Sequence, residues 1–452
     1  MIGFETIGNA TIIGYDDEPV IATDAWIAGD AYFGSWGMSH EIPTEQYENI
    51  RRAKYQWFSH AHPDHLNVGA LASLGQSRFL LAKHEGSRIY NDLTEMGYNV
   101  TVLPEREWVT LSPHIRAMTL SDYNQDSILL LDINGRLVLN LNDASDHGWG
   151  HFVRKVAKSF RREVYLLNLV TWGDADMMNL FTEDGRRIPP KGALKLPIAP
   201  RVQTLAIRYG ANRIIPFSSF HRYQREDSVW ANEFVPSQED YNRGADPAKP
   251  EILPPFLRVD CVTGETAPLN PRPLPIQSLK AEQFGDNWGD RLEPEEKRQI
   301  REYIQKKEEL RKHFGFVRFR VGGEEMVVDI NPRRHRDRGF TFEAPRNSLC
   351  TAVKYEIFDD LLIGNFMKTT LHGGATLYPN FTPVVAKYAD NGRAQTSAEL
   401  REYKRAYYER DRASLILGRL EENSLKFVRM ILPERSAAFK AAKRLYWDWK
   451  RR

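Results

Sequence analysis

Residues 59–65 read Ser59-His60-Ala61-His62-Pro63-Asp64-His65, placing three imidazoles and a carboxylate within six positions. A neutral imidazole is the commonest protein ligand for transition metals, and imidazole together with carboxylate suits zinc, iron or manganese. Side chains two apart on an extended segment point the same way, so His60 and His62 can grip one ion from one side. The tight Pro63-Asp64-His65 turn then aims Asp64 and His65 at a second ion nearby. The bland alternative, a surface loop, would have to crowd three of the chain's 12 histidines into this one stretch by accident. The flanks argue against it: Lys54–Phe58 reads as a buried strand and Leu66–Leu74 as the start of a helix. The cluster therefore stands at the C-terminal end of a strand, the edge at which layered α/β proteins collect ligands.

The 452 residues allow two or three domains and a large core. Basic and acidic side chains number 62 and 60, a near-balance that argues against a dedicated nucleic-acid binder. No run approaches the ~18 apolar residues of a membrane span, and no charged segment precedes an apolar signal core, so the cytoplasm is the expected location. Only Cys261 and Cys350 are present, too few for a disulfide framework, a four-cysteine zinc site or a cysteine-held iron–sulfur cluster.

Residues 1–235 alternate strand-like apolar runs with helical stretches, as a sandwich with outer helices requires. Expected strands are Ala10–Tyr15, Pro19–Thr23, Phe79–Ala82, Ser127–Asp132, Arg136–Leu141 and Val164–Leu169, with an Asn134-Gly135 hairpin turn. Residues 236–292 read as a connection that wraps a surface, since nine of the 25 prolines fall between 236 and 276. Residues 293–452 read as a smaller α+β domain. A helix opens at Glu293-Pro294, Phe316–Val321 and Met326–Ile330 flank Gly322-Gly323 as a hairpin, and Thr341–Glu343 adds a strand. Asn347–Tyr355, Ala398–Glu421 and Ser436–Lys450 read as helices.

The pattern His60-x-His62-x-Asp64-His65 resembles the signature of the metallo-β-lactamase superfamily. That resemblance implies an α/β fold, an αββα sandwich with a two-metal site, followed here by the smaller C-terminal unit. It also implies further ligands. Asp143, closing Leu139-Asn140-Leu141-Asn142-Asp143, resembles the family's bridging aspartate; two carboxylate oxygens can hold cations about 3.5–4 Å apart. His221, after the strand Ile214–Phe217, resembles the last ligand and would join Asp64 and His65 on the second ion. Asp24 resembles the aspartate that orients a ligand histidine from behind.

One slot departs from the family pattern. A histidine is expected shortly before the strand at Ser127, where this chain reads Thr119-Leu120-Ser121-Asp122-Tyr123-Asn124-Gln125-Asp126. His114 lies several residues too early. Either Asp122 takes the slot, giving His60, His62, Asp122 and Asp143, or the site is incomplete. A higher oxygen content shifts preference from zinc toward iron or manganese. For catalysis the candidates are Asp64, His147 and His151. The two histidines are four apart and would share a helix face, where one could donate a proton or touch substrate, with capping or packing as the equal alternative. Trp172–Met178 could line a substrate pocket.

Within the superfamily the opening half is similar to the branch holding ascorbate-6-phosphate lactonase, N-acylphosphatidylethanolamine phospholipase D and the non-Rieske part of CMP-N-acetylneuraminate hydroxylase. Gly8–Thr11, Asp24-Ala25-Trp26, Trp36–Pro43 and Asn140–Asp143 carry that likeness. The leading expectation is hydrolysis of a small-molecule phosphoester, amide or lactone with two divalent ions. The alternative is a di-iron oxygenase fed electrons by a separate protein, and a third class is a binding protein on the same fold. Fold does not choose among them. Hydrolysis needs no external reductase, which places it first.

Overall fold

The computed structural model describes residues 1–144, 149–169 and 177–410, with Arg412, Ile416 and Leu420. Two large sheets carry the first unit. One has eight strands, running from an edge at Thr266–Pro268 to an edge at Val100–Val102, and the other has seven. Alternation along each strand sorts its side chains between two cores. Ile12, Trp57 and Leu80 of the first sheet meet Leu129, Leu131, Val138, Tyr165 and Leu167 of the second in a shared inner core. Their neighbours Ile13, Phe58, Phe79 and Leu81 face outward, where Ile50, Leu71, Leu74 and Leu93 of the helices cover them. On the outer face of the second sheet, Ile128, Leu130, Leu137, Leu139 and Leu166 pack under Val153, Val202, Ala206 and Tyr209 of two further helices. The result is an αββα sandwich, the fold expected from the sequence.

Tyr55–Phe58 runs parallel to Glu18–Thr23 and to Arg78–Leu81, while Arg136–Asn142, Val164–Leu169 and Arg213–Phe217 run parallel in the opposing sheet. Their C-terminal ends open onto the same edge of the sandwich. The Asn134-Gly135 turn supplies the two positive φ values, 51° and 79°, that a tight hairpin needs.

The proline-rich stretch is not only a wrapping connection. Leu257–Asp260 pairs antiparallel with Ile2–Ile7, and Thr266–Pro268 pairs in turn with it, so the first sheet extends past residue 260. Leu257 and Val259 point into the inner core. The alternation Leu257-Arg258-Val259 is a strand signal, obscured by the prolines around it.

The second unit is a five-stranded sheet with helices on one face. Its order is Leu180–Phe181, Lys368–His372, Gly339–Glu343, Phe316–Val321 and Glu324–Asp329, so the first half of the chain lends an edge strand. Val317, Phe319 and Val321 are buried while Arg318 and Arg320 face outward, the one-sided pattern of a half-covered sheet. Helices Pro294–Gln305, Arg346–Tyr355 and Phe358–Ile363 close a core rich in phenylalanine. The last described helix is Ser397–Arg410; the segment Ser436–Lys450 lies outside the described residues. No helix among the described residues is long and apolar enough to cross a membrane.

Candidate metal centre

The histidine loop leaves Tyr55–Phe58 and folds back at once: the backbone N–H groups of His65 and Leu66 both donate to His62 O. Asn67 caps the following helix through Gly69 N at 2.9 Å and ties the loop down by donating to Pro63 O (2.9 Å) and Asp30 O (3.1 Å). Asn9 does the same across the site. Its amide donates to Asp64 Oδ2 at 2.8 Å and accepts from Phe220 N at 2.8 Å, holding the loop before His221 against the histidine loop. Ser218 and Ser219 both adopt positive φ in that second loop, strain of the kind that clusters at functional sites.

His60, His65 and Asp143 bring ligand atoms within 4.8 Å of one another. His65 Nε2 lies 3.4 Å from Asp64 Oδ2 and 3.5 Å from Asp143 Oδ2, while its Nδ1 is backed by Asp24 Oδ2 at 3.2 Å. Asp24 Oδ1 also accepts from Ser59 N at 2.7 Å, so this aspartate fixes both the loop and the ring. His60 Nε2 and His62 Nδ1 face each other at 2.8 Å. Their outer nitrogens are already engaged, His60 Nδ1 with Ser59 Oγ at 2.8 Å and His62 Nε2 with Asp359 Oδ2 at 3.0 Å. At that separation the two nitrogens either share one proton in a hydrogen bond or converge on a metal ion.

The electrostatics are consistent with that demand. Burial would lower His62, but the hydrogen bond and charge of Asp359 outweigh it and raise the ring to about 10. His65 is likewise pushed well above the usual histidine range despite burial, by Asp64, Asp143 and Asp24. His60 is held well below it by burial and then by its imidazole neighbours, and burial drives His221 down to about 3. His221 stacks flat on Trp36, ring centres 3.3 Å apart, and neither of its buried nitrogens has a hydrogen-bond partner among the described residues. His65 Nε2 makes no such hydrogen bond either, but the carboxylates of Asp64 and Asp143 stand 3.4 and 3.5 Å from it. Buried nitrogens in that condition are costly unless something binds them. The donor set fits a metal-binding cage: His60, His65 and Asp143 form one group of converging ligand atoms, and His62 forms a second with Asp359 and Asp360. His221 stands outside the groups whose ligand atoms fall within 4.8 Å.

Asp122 lies differently from the expectation for it. It is fully buried, and its Oδ1 accepts from Asn124 N (2.7 Å) and Asp126 N (3.2 Å), closing its own turn. Asp126, at the end of the same turn, is the carboxylate that approaches the histidines, with Oδ1 3.8 Å from His60 Nδ1. The signal was position: Asp126 immediately precedes the strand Ser127–Ile133 and so stands at the site's edge of the sheet. His151 sits in the first turn of Gly150–Lys158 and is not among the residues lining the cavity described below. His147 and residues 172–176 lie outside the described residues.

The cavity over this cage has a volume of about 410 Å³. Its floor is His60, His62, Asp126 and Asp143; its roof comes from the second unit, with Asp359, Tyr378, Thr382 and Lys387. Asp359 and Asp360, both buried, gather with His62 into a second acid–imidazole group. Nothing near Asp359 in the sequence marks it: Phe358-Asp359-Asp360-Leu361 reads as an ordinary helix start.

An αββα sandwich with this loop at its open edge is a metallo-β-lactamase-type fold with a candidate two-metal centre. No protein-family model matches the chain. Over 140 residues, 29% of its length, it is 26% identical to a cytidine monophosphate-N-acetylneuraminic acid hydroxylase of Asterias rubens, and the match covers 21% of that protein. The chain thus spans about a fifth of the curated relative it matches. Among solved structures it is similar to CmlA, a diiron β-hydroxylase from Streptomyces venezuelae, with a TM-score of 0.33, 12% identity and coverage of 52% of this chain and 48% of that one. It is also similar to an isothiocyanate hydrolase from Delia radicum gut bacteria, with a TM-score of 0.34, 14% identity and coverage of 58% and 98%.

Proposed function

We propose that this protein is a dinuclear metal-dependent hydrolase acting on a small molecule held between the sandwich and the second unit. The observation that carries the reading is the convergence of His60, His62 and Asp143 on one roofed cavity of about 410 Å³, a size suited to a small-molecule ligand. Two divalent ions held there would lower the pKa of water and stabilise charge developing on a phosphoester, amide or lactone. The side chains around them have separable tasks. Asp24 and Asp359 hold the His65 and His62 rings by their outer nitrogens. Tyr32 donates to Asp64 Oδ1 at 2.6 Å, orienting that carboxylate, which is the proposed proton acceptor. Lys387 donates to Asn124 Oδ1 at 2.6 Å and lines the roof, where its ammonium can receive an anionic group of the substrate. The roof lessens the exposure of these groups to bulk water, which strengthens the charge interactions beneath it.

A second reading, oxygenation, draws support from one observation: the turn at which the family pattern supplies an imidazole here carries Asp122 and Asp126, and Asp126 lines the cavity. Harder oxygen donors favour iron or manganese over zinc. The partial relative is a hydroxylase by name. Hydroxylation consumes dioxygen and two electrons, so this reading brings in a separate electron-donor protein.

Metal analysis of the protein as purified, with an absorption spectrum of the same sample, tests both. Two zinc or manganese per chain, with chelator-sensitive turnover of phosphodiesters, esters or lactones, supports hydrolysis. About two iron with charge-transfer bands and reductant-dependent dioxygen uptake replaces it with oxygenation. A protein that takes up no metal rules out both.

A further inference from the structure

Each ring of the histidine loop is held from behind, but not by the same part of the molecule. His60 Nδ1 is engaged by Ser59 and His65 Nδ1 by Asp24, both within the sandwich. His62 Nε2 is engaged by Asp359, which belongs to the second unit and is almost wholly buried. A carboxylate accepting the Nε2 proton leaves Nδ1 as a lone pair directed into the cage and makes that nitrogen a better donor. The helix that presents Asp359, Phe358–Ile363, is fastened to the sandwich on both sides. Before it, Arg88 donates to Tyr355 O (2.5 Å) and Glu356 O (2.8 Å), and it also reaches Asn391 Oδ1 (3.1 Å) further along the chain. After it, Ser35 Oγ donates to Gly364 O at 2.5 Å.

We propose that Asp359 is a positioning residue delivered across the unit boundary, so that tight metal loading at His62 requires the second unit to be docked on the sandwich. The inference rests on the metal-centre reading above. Its consequence is that the roof helps to build the cage as well as enclosing substrate. A direct Asp359–metal bond is a different arrangement: it would make the carboxylate charge, and not the proton it accepts from His62, the property that matters.

The test uses the full chain stripped with a chelator and titrated with zinc ion against a chromophoric competitor. Wild type should take up two equivalents and H62A should lose one. D359A should weaken one equivalent by about 10–100-fold, and D359N, which keeps a carbonyl acceptor for the His62 N–H, should fall between. R88Q touches none of the ring nitrogens, so a several-fold loss at the same equivalent would tie loading to docking. Metal-free melting of D359N close to that of wild type separates a loading defect from misfolding. If D359A and D359N both bind as wild type does while H62A loses an equivalent, Asp359 is only an interface contact and the inference fails with the metal centre intact. If D359N binds as poorly as D359A, direct ligation replaces positioning. Unchanged binding by R88Q overturns the dependence on docking. Absence of zinc uptake by wild type overturns the inference together with the reading beneath it.

Discussion

The two walls of the cavity were assembled by different means. The floor joins His60 and His62 from one loop at the end of a strand to Asp143 after Arg136–Asn142 and Asp126 before Ser127–Ile133. The roof draws on residues as far apart as Asp359, Tyr378 and Lys387, on a helix, a turn and a π-helical segment at Val384–Asn391. Floor residues depend on strand ends whose positions follow from sheet topology; roof residues depend on how a second core docks.

The largest effect should come from the floor. His62→Ala removes a ring that is a quarter exposed and should leave the sandwich folded while stripping at least one metal and abolishing turnover. Retained activity at normal metal content would sink the floor assignment. Breaking the join between walls should be felt in stability first. Arg225 is wholly buried, pairs with Asp286 at 2.7 Å and Asp227 at 2.9 Å, and sits 4.0 Å over the Phe366 ring of the second unit. Arg225→Met would strand two carboxylates and cost about 3–5 kcal/mol, read as a lower urea midpoint. An unchanged midpoint would mean the walls are held together by other contacts.

How much of this was readable beforehand follows the same division. The strand before the histidine loop, the Asn134-Gly135 hairpin and the Phe316–Val321 strand follow from apolar patterning and turn chemistry, and the structure has them. Leu257–Asp260 escaped because the prolines around it dominate the composition, although its alternation is intact. Leu180–Phe181 could not be read at all, since two residues pairing with Lys368–His372 carry no periodicity. Within the site, Asp24, Asp143 and His221 stand at strand ends where a resemblance can point to them. Asp359 has no such marker, because its role is created by Arg88 and Ser35 fastening a distant helix. Asp122 and Asp126 share one short turn, in which Asp122 accepts from the backbone N–H groups of Asn124 and Asp126, a bonding pattern that spacing does not reveal.

That last pair sharpens the floor's boundary with a smaller effect. Asp126→Ala should lower metal stoichiometry or affinity, whereas Asp122→Ala should leave the metal and cost about 1 kcal/mol by freeing the turn's N–H groups. Metal titration of both variants, set beside their melting curves, decides the matter. Metal loss with Asp122→Ala alone would return Asp122 to the cage and make Asp126 the structural residue.

The smallest expected effect probes the sandwich away from metal, as the counterweight to the cage histidines. His40 is buried, meets Ser39 Oγ at 2.9 Å and lies against Phe256, and burial, reinforced by Arg222, lowers its ring to about 4. The folded chain therefore keeps His40 neutral at a pH where the unfolded chain protonates it, and the unfolded state binds more protons between about pH 6.5 and 4. Stability from this group is whole above that window and drains as the pH falls through it, by about 1 kcal/mol at pH 5.5. Urea unfolding at pH 7 and 5.5 should show the loss in wild type, and His40→Gln, less stable overall, should show a smaller drop between the same two values. Equal drops would assign the acid sensitivity elsewhere, leaving His40 as packing alone. The contrast with His62, which Asp359 drives the opposite way to about 10, would then rest on the cage by itself.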